Sequence, residues 1–177
     1  MTDSVLQAER DHLAGLLEAI QRCTYFLDAS IRKVGWPLTA EYLSANKKNV
    51  ALFESLASIN ERFAKLQDAL GAAMRHAMLL AGEQGNTFLK VLAFYEKMAV
   101  LDSIESWQIC RTTRNLAAHD YDIEYAEIAK HFNTLCELTD SLYGDAVRFL
   151  RYCEENLAVT PAYGDFANEF TGITRNP

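Results

Sequence analysis

The sequence lacks any apolar run that reaches the ~20 residues of a membrane-spanning helix. Its N-terminus also lacks the basic flank and the apolar core of a secretory signal, because an amphipathic pattern begins within the first few residues. We therefore expect a cytoplasmic protein that makes no contact with a membrane.

Positive charge is scarce as well. The chain has 17 Lys and Arg residues against 24 Asp and Glu residues, which gives a formal charge of -7 and an isoelectric point near 5.1. A broad electrostatic attraction for nucleic acid is therefore not expected, and any contact with RNA must be local.

The cysteines show no metal-binding pattern. There are four, with no Cys-x-x-Cys pair among them and no histidine at a recurring ligand spacing. Each lies in a predicted helix, where a small buried thiol is the better explanation. The sequence thus predicts reduced cysteines, no structural zinc and no cofactor. The four positions are Cys23, Cys110, Cys136 and Cys153.

No stretch alternates between apolar and polar residues over the length of a strand, and apolar residues instead recur every three or four positions. The chain has 177 residues, of which 50% are hydrophobic, so it can bury one core. These features predict an all-α protein, an antiparallel bundle of four to five helices over residues 1–157. The spacing is lost from Ala158, and we expect residues 158–177 to form a tail that is disordered or contacts a partner.

The bounds of the predicted helices follow from their apolar stripes and from the breaks between them. Asp102 and Glu105 resemble the two partners of a capping box at the start of the fourth helix, and Asp122 resembles the N-cap of the fifth. The helical spacing extends from Leu6 to Ile31, from Leu52 to Met74, from Phe88 to Met98, from Asp102 to about His119 and from Tyr125 to Cys153.

One cluster of polar residues at the end of the fourth predicted helix carries most of the chemistry. It places Arg114, Asn115, His119 and Tyr121 within eight positions. Arginine binds phosphate oxygens through a rigid fork of donors, and histidine exchanges protons near neutral pH. These are the groups that a protein needs to act on a phosphate ester without a metal ion.

Helix geometry limits how the cluster can act. At about 100° per residue, Asn115 and His119 share one face of a helix, whereas Arg114 and Tyr121 share another. A single straight helix cannot easily direct both Arg114 and His119 at one phosphate. A cleft at the helix end, completed by a second copy of the chain, would bring two Arg-His sets together, so we expect a homodimer.

The pattern Arg-Asn-x3-His-x-Tyr at the end of the fourth helix of an all-helical domain resembles the signature of the HEPN superfamily, and most closely its HepT-like toxin branch. The segments 61–71 and 99–107 also resemble parts of that branch that precede the motif. The resemblance covers roughly residues 5–157.

This resemblance implies an RNA-cleaving toxin that acts as a dimer without metal and is neutralised by a minimal nucleotidyltransferase antitoxin. His119 would move the proton of a ribose 2′-hydroxyl, Arg114 would bind the charge on the phosphate, and Asn115 would orient either of them. Tyr121 would be the regulatory residue to which the antitoxin transfers adenylyl groups.

The resemblance also implies a polar residue from an earlier helix near the motif. Asp68 and Gln67 are both candidates for that position, and the sequence does not decide between them. Arg111 lies one turn before Asn115, where it either adds positive charge to the cleft or is an ordinary surface arginine.

Two alternatives to a ribonuclease remain open from the sequence. The chain could be a non-catalytic subunit that binds nucleotide or presents substrate to a nucleotidyltransferase, which the acidic charge favours slightly. It could also use the cluster only structurally, since Arg114 and His119 near a helix C-terminus suit the negative end of the helix dipole. Outside the cluster, we expect Trp107 and the aromatic residues from Phe88 to Tyr95 to pack in the core rather than to stack on bases.

Overall fold

The computed structural model describes residues 3–116 and 124–175. All regular structure in these two ranges is helical, so the predicted all-α class is confirmed. Five helices correspond to the predicted ones, and α2 and α7 were not predicted. The seven helices are α1 (Asp3–Ile31), α2 (Ala40–Ala45), α3 (Val50–Leu80), α4 (Phe88–Lys97), α5 (Ile104–Leu116), α6 (Tyr125–Leu157) and α7 (Ala167–Thr174).

The two longest N-terminal helices, α1 and α3, form an antiparallel pair. Near one end of the pair, His76 Nε2 lies 3.2 Å from the Glu9 carboxylate. Towards the other end, the Arg62 guanidinium lies 4.7 Å from the centre of the Phe26 ring. The apolar stripes of both helices face each other between these contacts, and burial of each such side chain contributes roughly 1.5–3 kcal/mol. Fully buried side chains of this seam include Leu13, Leu17, Ile20, Ile59, Phe63 and Leu66.

The long helix α6 runs parallel to α3 and antiparallel to α1. His131, near its start, is 3.3 Å from Asn60 on α3. At its other end, the Leu157 carbonyl accepts a 2.7 Å hydrogen bond from Arg10 on α1. The interior between these helices is apolar, with Leu135, Ala146 and Phe149 fully buried.

Helix α5 packs against both α3 and α6 and runs antiparallel to α3. Gln67 on α3 donates to the Trp107 carbonyl at 2.9 Å, and Arg114 donates to the Ala64 carbonyl at 2.7 Å. The first and last turns of α5 are thereby fixed beside the middle of α3. This placement positions the candidate site.

The start of α5 differs from the predicted capping box. The cap is Ser103, whose hydroxyl accepts a 2.9 Å hydrogen bond from the Ser106 amide. The Asp102 carboxylate instead lies 2.9 Å from Arg148 on α6. A tertiary ion pair thus removes the acidic side chain from the helix end, and the neighbouring hydroxyl takes its place. The prediction of Asp122 as the N-cap of the fifth helix was wrong, because the residue in the N-cap position of α6 is Glu124, which makes no side-chain cap hydrogen bond; Asp122 itself lies outside the described residues.

Helix α2 escaped prediction because six residues are too few to show a period. Its N-cap is Thr39, whose side chain accepts a 3.1 Å hydrogen bond from the Tyr42 amide. Its one buried side chain, Leu43, contributes to the core. The loop before it is joined to α6 by Asn133, which exchanges two hydrogen bonds with the Leu38 backbone at 2.8 and 2.9 Å.

The segment after α6, expected to be disordered or to contact a partner, folds back on its own chain. The Glu18 carboxylate on α1 accepts hydrogen bonds of 2.9–3.2 Å from the amides of residues 163–165. Beyond this contact α7 packs on α1 and α6, with Phe170 only 6% exposed. The break in spacing at Pro161 and Gly164 is therefore a turn that leads into a further packed helix.

None of the described helices combines the length and the apolar character that crossing a bilayer requires. The four cysteines are all described, and none is joined in a disulfide.

Candidate functional site

A concave surface beside Arg114 forms a cleft between α3 and α5, and the start of α4 contributes Phe88 to it. Its volume is about 340 Å³. On α3, Asp68, Gly71 and Arg75 lie three and four residues apart, which places them on one face of the helix. On α5, Trp107, Arg111 and Arg114 follow the same rule. The remaining lining residues are Gln67, Ala72 and Phe88.

Arg114 is the best anchored polar side chain of the cleft, and it is only 15% exposed. Its Nη1 atom donates to the Ala64 carbonyl at 2.7 Å and lies 2.7 Å from Asp68 Oδ1. These two acceptors use both protons of Nη1. The buried Nε atom has no hydrogen-bond partner within the described residues. This nitrogen is therefore enclosed by the protein, and Nη1 is the atom through which the described residues fix the guanidinium.

The direction of Arg114 argues against a purely local role. A cation that serves the helix dipole interacts with the last carbonyls of its own helix. Arg114 instead crosses to a carbonyl in the middle of α3. Its position thus depends on the tertiary packing of two helices.

The structure distinguishes between the two candidates on the earlier helix. Asp68 is the residue that contacts Arg114, although its side chain is 67% exposed. Gln67 is 2% exposed and donates to the Trp107 carbonyl from Nε2, while its Oε1 atom has no partner in the described part of the chain. Asp68 therefore orients Arg114, whereas Gln67 joins α3 to α5 and leaves one buried acceptor unsatisfied.

The cleft has an excess of positive charge in an acidic protein. Arg75, Arg111 and Arg114 contribute three guanidinium groups, against the single carboxylate of Asp68. Arg75 and Arg111 are exposed, and neither has a carboxylate within 4 Å among the described residues. Their charges thus remain available to an anion.

The floor of the cleft is aromatic. The Phe88 and Trp107 rings lie 6.0 Å apart between centres, and Trp107 is almost fully buried whereas Phe88 is half-buried. A methyl group added at Gly71 would lie 3.2 Å from Phe88 Cζ. The absence of a side chain at Gly71 therefore lets the Phe88 ring approach the backbone of α3. The Arg75 guanidinium lies over the same ring, 5.4 Å from its centre.

The remaining motif residues are only partly within the described structure. Asn115 is exposed on the last turn of α5, on a different side from Arg114, as the helical spacing predicts. His119 and Tyr121 lie outside the described residues. The structure therefore brings together Arg114, Asp68 and Arg111, and both the placement and the role of His119 stay predictions.

Sequence analysis missed Arg75 and the place of Phe88 in the cleft. Arg75 follows Asp68 at seven positions, which is two helical turns, and this spacing was the one signal available for it. Phe88 begins a new helix after a loop, so no periodic pattern connects it to α3.

No cluster of His, Cys, Asp and Glu side chains in the ranges 3–116 and 124–175 has an arrangement that could hold a metal ion. The other histidines have structural contacts. His76 contacts Glu9 and lies edge-on to His12, with 4.7 Å between ring centres, and His131 contacts Asn60.

Comparison of the chain with protein-family models, with curated proteins and with solved structures found no match.

Proposed function

We propose that this protein is a metal-independent endoribonuclease of the HEPN type and the toxin of a cytoplasmic toxin-antitoxin pair. Its active cleft contains Arg114, Asn115 and His119 and is completed by the second copy in a homodimer. A minimal nucleotidyltransferase acts as the antitoxin and neutralises the toxin by adenylylating Tyr121.

The observation that carries this proposal is the state of Arg114. Its guanidinium is mostly buried, is fixed through Nη1 to α3, and lines the same cleft as Arg75 and Arg111. An arginine fork of this kind matches two oxygens of a phosphate. Because the fork is oriented before the substrate arrives, little reorganisation is needed when negative charge develops on the phosphate.

The proposed reaction is an internal transfer at phosphorus. His119 accepts the proton of the ribose 2′-hydroxyl, and the 2′-oxygen forms a bond to the adjacent phosphorus. The bond from phosphorus to the 5′-oxygen breaks, and that oxygen leaves with a proton from an acid, for which the second copy's histidine is the natural source. The products are a 2′,3′-cyclic phosphate and a 5′-hydroxyl. Proton transfer of this kind contributes ~10²- to 10⁴-fold to the rate.

A dimer would bring an arginine and a histidine of the motif to one site, which a single helix cannot do. Arg114 and His119 are five residues apart, which is about 140° around an ideal helix. A two-fold axis beside the ends of both α5 helices would set the arginine of one copy against the histidine of the other. A monomer by light scattering at working concentration would count against this part of the proposal.

Adenylylation of Tyr121 would inhibit the same cleft. Each transferred group brings negative charge and bulk to the motif, where Arg75, Arg111 and Arg114 offer the positive charge that the substrate phosphate would otherwise contact. Inhibition would therefore be both electrostatic and steric.

The test is RNA cleavage by the purified full-length protein in excess chelator. We expect cleavage with 2′,3′-cyclic phosphate ends, complete loss in His119→Ala, and no loss in His12→Ala, a matched exposed histidine on α1. His119→Ala should leave the melting temperature unchanged or raise it. A lower melting temperature with retained cleavage would assign the cluster a structural role instead.

The second candidate is a non-catalytic subunit that binds nucleotide or presents substrate to a nucleotidyltransferase. The net charge of -7 favours it, because it opposes the approach of a long RNA. Wild-type protein that is unmodified at Tyr121 and inactive on diverse RNAs, but that binds nucleotides, would make this candidate the better one.

A further inference from the structure

Three cations lie together on the outer face of the α1–α3 pair, and we call Arg22, Arg62 and Lys65 the basic band. Arg22 is exposed and Arg62 is half-buried, and in the described ranges neither has a carboxylate within 4 Å. Lys65 is paired with Glu61 at 2.9 Å, and both of these side chains are 64% exposed. The Glu18 carboxylate, one turn before Arg22, accepts hydrogen bonds from backbone amides of the turn before α7. The two arginines of the band are therefore not paired with any of these acids.

The three side chains converge on one point of the surface, the partly buried thiol of Cys23. Burial raises the pKa of this thiol, whereas the charges of Arg62, Lys65 and Arg22 each lower it. Among the described residues, no carboxylate contributes to the shift. Cations from two helices thus produce a local positive potential on a protein whose net charge is -7.

Arg62 is held in place without using its hydrogen-bond donors. Its guanidinium lies 4.7 Å from the centre of the Phe26 ring, a distance at which a cation is attracted to the ring face. The Phe26 ring is itself in contact with Tyr25 and Phe166, at 5.1 and 6.3 Å between centres. No acceptor in the described part of the chain bonds the N–H groups of Arg62. These donors are therefore oriented and available to an oxygen ligand.

The basic band leads to the candidate site. Arg62, Lys65 and Asp68 follow one another at three-residue steps, which turns them progressively around α3. Arg62 contacts α1, whereas Asp68 contacts Arg114 on α5. Because α3 lies between α1 and α5, the path from Arg114 to Arg22 crosses two helix contacts of about 8–10 Å each, or roughly 20 Å in all.

We propose that the basic band binds the backbone of single-stranded RNA beyond the phosphate at Arg114, so that the substrate strand crosses from α5 over α3 to α1. This inference rests on the proposed function, from which it takes the RNA. Cations that follow a strand in this way bind its phosphates without regard to sequence. A guanidinium with free donors is the group best suited to each of these contacts.

The experiment measures binding of RNA without cleavage. Full-length His119→Ala protein is titrated against a fluorescent single-stranded decanucleotide and against a dinucleotide at several salt concentrations, followed by anisotropy. Arg22→Ala and Arg62→Ala should each weaken binding of the decanucleotide by about threefold, the size of an exposed ion pair. Each should also lower the slope of log K against log salt by ~0.7. Arg151→Ala, an exposed arginine on α6, is the charge-matched control and should change neither.

The dinucleotide tests the length of the path. It is too short to reach from Arg114 to α1, so Arg22→Ala and Arg62→Ala should bind it as the parent protein does. An equal loss of affinity for the dinucleotide and the decanucleotide would overturn the extended path.

Two neighbours on α3 should give effects of opposite sign. Glu61→Gln keeps the shape of the side chain but removes the carboxylate that compensates Lys65, so it should strengthen binding of the decanucleotide by about threefold. Lys65→Ala should weaken binding less than Arg62→Ala does, because Lys65 is already paired. A band with a purely structural role would not give the gain in affinity. Glu154→Gln, an exposed carboxylate on α6, is the control, and thermal melting confirms that each variant is folded.

The outcomes separate this inference from the proposed function. A wild type that cleaves RNA, with Arg22→Ala and Arg62→Ala binding the decanucleotide as well as Arg151→Ala does, would support the ribonuclease and overturn this inference. Arginine-dependent binding in a protein whose wild type never cleaves RNA would support the band as an RNA surface and overturn the ribonuclease. Polyglutamate that competes as well as RNA of equal charge would assign the band to acidic proteins and overturn its assignment to RNA.

Discussion

Replacement of Arg114 by alanine separates a functional arginine from a structural one, because the structure predicts different sizes for the two effects. Removal of the guanidinium deletes a charged hydrogen bond to the Ala64 carbonyl, which is worth about 1.5–3 kcal/mol. It also deletes the pair with Asp68, which contributes at most ~1 kcal/mol because Asp68 is 67% exposed and is screened by water.

One contribution to the free energy of unfolding favours the Arg114→Ala variant. The Nε atom of Arg114 is buried without a partner, and its removal relieves a desolvation penalty of about 1–3 kcal/mol. The gains and losses nearly offset, so Arg114→Ala should destabilise the fold by only ~1 kcal/mol. In a chain of this length, that corresponds to a fall of roughly 2–4 °C in melting temperature.

The expected effect on catalysis is much larger. Loss of a preorganised donor to the phosphate should lower kcat by ~10²- to 10³-fold. Arg114→Lys keeps the charge but not the planar fork, so it should recover stability more fully than it recovers cleavage. The measurements are thermal unfolding and single-turnover cleavage in chelator, with rates expressed per folded molecule.

A specific result would refute this reasoning. If Arg114→Ala lowered stability by more than ~4 kcal/mol while the folded fraction kept its cleavage rate, the guanidinium would be a structural link between α3 and α5. Asp68→Asn is the companion variant. Because Asp68 is mostly exposed, it should cost less than ~1 kcal/mol of stability, yet lower kcat by about tenfold with KM little changed, since it orients Arg114.

Three further predictions concern other parts of the chain. Burial raises the pKa of Asp145 from 3.8 to about 6, so the folded state binds the carboxyl proton more tightly than the unfolded state does. The stability that this residue contributes should therefore be full below pH ~4 and lost as the pH rises through about 6. Urea titrations at several pH values should show this dependence in the wild type and not in Asp145→Asn. Phe170→Ala should lower the free energy of unfolding by about 3 kcal/mol, because this side chain of α7 is only 6% exposed. Burial also raises the pKa of Cys110 to about 11 and that of Cys153 to about 12, so both thiols should react with a disulfide reagent at neutral pH only after denaturation.

Each of these three predictions would be contradicted by a different result. A difference between wild type and Asp145→Asn that stays constant from pH 4 to pH 8 would contradict the raised pKa, in spite of the pull of Arg148 in the other direction. A Phe170→Ala variant within ~0.5 kcal/mol of wild type would mean that α7 is not docked in solution. Stoichiometric labelling of Cys153 in native protein would contradict its burial.

The long helices could be predicted because their stripes are regular over many turns. The seam of α1 and α3 repeats at three and four positions for nearly thirty residues in each helix, and such a pattern has few competing explanations. The short elements could not be predicted in this way. Six residues in α2 and eight in α7 complete too few turns to reveal a face, and only tertiary burial of Leu43 and Phe170 makes them stable.

The candidate site, too, could be predicted only in part from the sequence. Arg114 belongs to the motif and Arg111 lies one turn before Asn115 in the same helix, so the sequence alone identified both as candidates. The choice of Asp68 over Gln67 as the partner of Arg114 required the relative rotation of α3 and α5, which no single-helix pattern contains. The prediction of the α5 cap was wrong for a similar reason, because Arg148 on α6 pairs with the Asp102 carboxylate.

The acidity of the chain limits how an RNA can reach this site. At 0.1 M salt, charges on the surface are screened over about 10 Å, so the net charge of -7 neither attracts a phosphate backbone over a distance nor prevents a contact that is already made. Affinity must then come from the few groups that touch the nucleotide. A double helix would present its many phosphates to the acidic surface, whereas a single strand can bring one phosphate to the arginines of the cleft. The protein should therefore act on single-stranded RNA and discriminate strongly against duplex, which cleavage of matched hairpin and unpaired substrates would measure.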